Sequence, residues 1–183
     1  MRYRLLIIAA TIIWGSSFVI VKDVTTMLPP AWILAVRFIA ASVIMAVAML
    51  PHRAVYLERS HVAYGLLFGL VIFLAYYAQT IGITDTTPGK NAFLTGTYCV
   101  IVPFLAWAMF KRKPNRFNVV AALLCIVGIG LISLNAQDGL LSIRFGDAMT
   151  LLGAVFYALH IILVAQFAPA ATCSCSPCGS LSG

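Results

Sequence analysis

Residues 87–114 read TPGKNAFLTGTYCVIVPFLAWAMFKRKP, from Thr87 to Pro114. Between the Pro-Gly start and the cluster Lys111, Arg112, Lys113 and Arg116 lies an unbroken apolar or small run, Ala92 to Phe110. A run of roughly 20 such residues is what an α-helix needs to cross the hydrocarbon core of a bilayer. Basic residues at one end are retained on the cytoplasmic side, so this stretch predicts a membrane helix with a direction.

Composition leads to the same place. The chain is 62% hydrophobic and 9% charged with a mean hydropathy of +1.02, which leaves too little polar surface for a soluble domain. The net charge of +7 is carried by Lys and Arg in short clusters between apolar runs. That is a topology signal and not a nucleic-acid footprint, so the partner predicted is the lipid bilayer and no nucleic acid is expected.

Working outward from residue 87, the turn 84–90 is preceded by a third span over His61–Ile83, in which Gly65 and Gly69 are spaced for a helix-packing face. The segment Pro51–Ser60, with Arg53 and Arg59, is placed in the cytoplasm. A second span covers Pro30–Leu50, entered through Pro29-Pro30, where proline sacrifices no helical hydrogen bond. The first span, Leu5–Val21, follows Arg2 and Arg4; without a clean small-x-small site after it, it reads as an uncleaved span and not a signal peptide. Toward the other end come a fifth span over Phe117–Leu134, an outer loop 135–145 and a sixth span over Gly146–Phe167.

Alternating these six spans puts Arg2, Arg4, Arg53, Arg59, Lys111, Arg112, Lys113 and Arg116 inside, and Lys22, Lys90 and Arg144 outside. The fold class predicted is therefore all-α, a polytopic transmembrane helix bundle of about six spans with its amino terminus in the cytoplasm. Five spans before a sixth would turn a second copy of the unit upside down. The sixth span faintly echoes the first at an offset of 143, with Trp14 opposite Tyr157 and Phe18 opposite Ile161.

The segment TTPGKNAFLTGTYCVIVPFLAW with its basic stop resembles the fourth span of the drug/metabolite transporter superfamily, in its EamA-type branch. WGSSFVIVK at Trp14–Lys22, LPPAWILAVRF at Leu28–Phe38 and GDAMTLLGAVFYALHIILVAQF at Gly146–Phe167 fit in register, up to Phe167. The resemblance implies an inner-membrane carrier of small organic metabolites, built as two inverted five-span halves in a ten-span whole. This chain would hold residues 1–136 as one half, 137–168 as the loop and first span of the other, and 169–183 as a tail outside the family pattern. A non-transporting accessory or assembly module and an inactive truncated fragment are the rival expectations. A second copy of the chain is the protein partner left open.

Polar residues at membrane depth carry the search for a site, because each must face protein or a water-filled cavity. Arg37 lies seven residues into the second span, where a guanidinium costs roughly 2.5 to 3.5 kcal/mol on insertion scales. It is either a cationic site for a substrate carboxylate or a snorkelling, structural residue. Asn91, Thr95 and Tyr98 share one face of the fourth span, and Tyr76, Gln79 and Thr80 recur similarly on the third. Thr150, Tyr157 and His160 stripe the sixth, and Thr11, Trp14 and Phe18 the first. Converging, these stripes would line a mostly apolar cavity with a few hydrogen-bonding groups; the alternative is interhelical bonding without a ligand. Pro103 predicts a kink near Cys99 and a candidate hinge. Trp32, Tyr56 and Trp107 read as interfacial anchors.

Catalytic chemistry finds no motif: GxxxxGK[ST], GxSxG and HExxH are all absent. The five acids Asp23, Glu58, Asp85, Asp138 and Asp147 fall at span ends or in loops. Cys173, Cys175 and Cys178 lack a fourth ligand for a closed zinc site, and Cys99 and Cys125 read as small buried residues, so neither metal nor cofactor is predicted.

Overall fold

The computed structural model describes residues 2–50, 59–111, 113–133 and 144–173. They form α1 (Arg2–Val24), α2 (Pro30–Met49), α3 (Arg59–Thr84), α4 (Pro88–Gly96), α5 (Tyr98–Phe110), α6 (Arg116–Ser133) and α7 (Phe145–Cys173), with no strand among the described residues. Five stretches among the described residues are long and apolar enough to span a membrane: Tyr3–Val24, Pro30–Ala48, Val62–Thr84, Pro88–Phe110 and Phe145–Phe167. The apolar part of α6, Arg116–Ile129, is shorter. The fold is an all-α polytopic bundle.

Local chemistry sets the helix limits. Pro30 and Pro88 occupy first-turn positions where their missing N–H is not required, and the Thr87 side chain accepts from the Lys90 N–H at 3.3 Å to cap α4. The fourth span is two helices, not one. Its break falls at Thr97, six residues before Pro103, where the Thr97 N–H reaches back three residues to Leu94 and its hydroxyl takes the same carbonyl at 2.6 Å. The bend expected near Cys99 is thus a break between two helices at Thr97, about half a turn before it. Below it, α5 stops at Lys111, which adopts the left-handed φ of 59° and returns its N–H to Trp107 O at 2.9 Å.

The core is the seam between α3 and α7. Ala75, Ala154, Ala158 and Thr150 have no exposed surface there, beside Ala78 and Tyr157. Small residues let the two backbones approach within contact distance. A Cβ at Gly82 would stand 2.7 Å from Gly146 O, one at Gly146 2.6 Å from Gly82 O, and one at Gly153 2.9 Å from Ala75 O. Gly65 and Gly69, the expected packing pair, have open space around them instead. Their end of α3 has no partner backbone close enough to need glycine. Cys99 is likewise exposed and Cys125 half-buried, contrary to expectation, because α5 and α6 meet loosely.

Large apolar side chains on α1 and α2, among them Leu5, Ile13, Val36 and Ile44, lie more than half exposed. Facing acyl chains this is the required arrangement, since helices with satisfied backbones and greasy surfaces are what a bilayer accepts.

Candidate functional site

Where α1, α2, α3 and α4 come together, Trp14, Ser17, Phe18, Val21, Arg37, Tyr76, Gln79, Thr80, Ile83 and Asn91 line a narrow pocket. In this conformation its volume is about 10 Å³, room for a single water. Three of the four predicted stripes contribute to it.

A buried polar chain forms its floor. Tyr157 Oη donates to Gln79 Oε1 at 3.1 Å, and Gln79 Nε2 donates to Thr95 Oγ1 at 2.8 Å. The Thr95 hydroxyl donates to Asn91 O at 2.8 Å, and Asn91 Nδ2 donates to Thr150 Oγ1 at 2.7 Å and to Gln79 O at 3.3 Å. Thr150 in turn donates to Gly146 O at 2.7 Å. Each of these side chains is buried, with Asn91 and Thr150 at 0% exposure, so each bond replaces water that is not there. One atom of the chain is left over. Asn91 Oδ1 is buried and has no hydrogen-bond partner among the described residues.

Arg37 is exposed yet lines the pocket, its guanidinium 4.7 Å over the Tyr76 ring. Among the described residues no carboxylate pairs with it. The cation–π contact supplies part of what a charge at this depth needs. Tyr76 then meets Tyr157 edge-on at 5.3 Å, and Tyr157 meets Tyr98 at 6.0 Å. Tyr98 is thus a neighbour of the network and not part of the pocket lining. His160 also lies elsewhere: it sits edge-on to Phe68 at 6.3 Å, with its buried Nδ1 unpartnered. Thr11 is exposed and turns its hydroxyl back to Ile7 O at 2.8 Å.

Beside the pocket stands a polar clasp whose members lie far apart along the chain. Lys90 Nζ pairs with Asp147 Oδ2 at 2.6 Å, the two side chains 15% and 3% exposed. Thr86 donates to the other carboxylate oxygen at 3.1 Å. Asp147 Oδ2 also takes the Arg144 N–H at 3.1 Å, and Asp85 Oδ2 takes the Gly146 N–H at 3.1 Å, so two carboxylates satisfy the positive start of α7. Lys22 closes the end of α3 by donating to Ile83 O at 2.8 Å and Thr84 O at 2.9 Å. The one legible hint was an acid three residues past Arg144, the spacing of half a capping box.

Of the topology residues, Lys111, Lys113 and Arg116 are exposed, whereas Arg53 and Arg112 lie outside the described residues and the Arg59 side chain is not described. Tyr56 and the tail from residue 174, with Cys175 and Cys178, also fall outside them, though α7 itself runs on to Cys173. Among the described residues no three His, Cys, Asp or Glu gather as a metal site would require.

The sequence profile of the EamA-like transporter family matches residues 1–134. An uncharacterized transporter of Archaeoglobus fulgidus is 30% identical over 156 residues, covering 85% of this chain and 46% of its own length. The uncharacterized transporter YetK of Bacillus subtilis is 24% identical over 167 residues, covering 88% of this chain and 51% of its own. The chain spans about half the length of the curated relatives it matches. No solved structure matches it.

Proposed function

Because the chain belongs to the EamA-like transporter family, we propose that it carries the substrate pocket of a secondary transporter of small organic metabolites, amino acids or related compounds among them. The protein is a multi-pass membrane protein. In this reading it lies in the inner membrane with its amino terminus in the cytoplasm, and the whole carrier has ten spans in two inverted halves. Residues 1–136 form the first half, 137–168 open the second, and 169–183 stand outside both. Alternating access of the halves exposes the pocket to each side in turn, with the break at Thr97 and the proline at 103 as the place where the fourth span bends. Transport, and not catalysis, is the activity.

One observation carries this: a polar pocket among four helices keeps a cation and a buried acceptor that protein groups leave unmatched. A second reading has its own support. Gln79 bonds to both Thr95 and Tyr157, and Thr150 bonds to Asn91 and to the Gly146 carbonyl, which favours a packing role for Gln79, Thr95, Thr150 and Tyr157 and is what a non-transporting module, or a pair of copies, would also need.

Uptake and counterflow of labelled metabolites by the full-length protein in proteoliposomes decide between them. Saturable flux that falls at least about tenfold in Trp14→Ala with the melting temperature unchanged is the expected result. Folded protein with no flux of any metabolite, or loss of folding in place of flux, supports the module.

A further inference from the structure

Resting on the reading of this pocket as a substrate site, we infer that its ligand is a small organic acid that also carries an N–H or O–H donor. Arg37 holds the carboxylate, and Asn91 Oδ1 accepts from the donor, in a form of the pocket opened beyond the volume of about 10 Å³ it has in this conformation.

The lining carries one formal charge, on Arg37, and it is positive. Its partner among the described residues is the face of Tyr76, which attracts a cation, and none of the described residues accepts a hydrogen bond from the guanidinium fork. A planar fork of donors at membrane depth matches a carboxylate in two parallel bonds. A ligand whose only charge is an ammonium, without a carboxylate to meet Arg37, has the opposite: repulsion from the guanidinium and no acid in the lining to neutralise it.

Asn91 adds the second requirement. Its amide orientation is fixed by its neighbours, because Nδ2 donates to the Gln79 carbonyl, which can only accept. Turning the amide over would set two acceptors against each other. The unmatched atom is therefore an acceptor, 0% exposed, on a residue that lines the pocket. A buried acceptor left empty is costly, and a ligand that fills it is selected over one that cannot. Gln79 and Thr95 do not compete for the role, since each has its partner within the polar chain.

Four three-carbon probes separate the two requirements: L-lactate and L-alanine have carboxylate and donor, propionate lacks the donor, and alaninamide lacks the carboxylate. Calorimetric titration of the chain in lipid nanodiscs is expected to give binding of lactate or alanine about tenfold or more tighter than of propionate or alaninamide. Arg37→Gln should bring the better probe down to the level of alaninamide, with Arg37→Lys between, at an unchanged melting temperature. Alaninamide binding as tightly as lactate and alanine overturns the assignment, as does binding of none of the four. Propionate equal to lactate removes the role of Asn91 and overturns it in the form stated. If lactate or alanine binds but no metabolite is transported, the ligand class stands and the carrier reading falls; transport confined to cations has the reverse consequence.

Discussion

The α3–α7 seam and the α5–α6 flank are both built from apolar sequence yet pack in opposite ways. At the seam, Gly82, Gly146 and Gly153 bring backbones together, and Gln79, Asn91, Thr150 and Tyr157 hydrogen-bond across it. On the flank, Val100, Phe104, Leu105, Ile126, Ile129 and Leu151 line a largely apolar, open groove of about 530 Å³. The difference follows from the solvent. A leucine gains nothing by leaving lipid for another leucine, so in a membrane the tight contact is the one made by small residues and polar groups.

The largest test of that contrast is steric. Gly153→Leu should abolish the folded monomer on size-exclusion chromatography in detergent, because even a Cβ there would stand 2.9 Å from the Ala75 carbonyl. Gly65→Leu, in open space, should leave the profile unchanged. Equal effects would mean that the seam is not the core.

A smaller effect is expected at the clasp. Asp147→Asn or Lys90→Met leaves one buried charge unmatched and should cost about 3 to 5 kcal/mol in chemical denaturation. The double substitution should recover most of that loss. Additive losses in the double-mutant cycle would show that the two side chains are not coupled.

The smallest effect belongs to the flank. Ala122→Leu fills part of the open groove of about 530 Å³ and should change stability by about 1 kcal/mol or less, in contrast to any leucine on the seam. A loss as large as that of Gly153→Leu would erase the distinction.

The spans were legible because crossing a bilayer demands length and hydropathy, which are local properties. So was the buried face of Asn91 and Thr95, four residues apart on one helix. His160 was not: three residues beyond Tyr157 lie about 4.5 Å along the axis and about 60° round it, enough to swap the polar chain for Phe68. The choice of Gly65 and Gly69 over Gly82 and Gly153 failed for a different reason. Spacing marks a helix face as able to accept a close neighbour, but which face receives one is set by the partner. Lys90 and Asp147 are separated by 57 positions, so their pairing is a property of the assembled bundle and of neither segment alone.

The family match ends at residue 134, whereas the helix that completes the core begins at Phe145. During synthesis, the first five rods to leave the ribosome enter the lipid with Lys90 lacking its counter-ion and the Ala75 to Gly82 groove bare, until the sixth docks. A piece cut after residue 134 would thus keep an unfilled cleft along α3, whereas one that runs through α7 retains the whole seam.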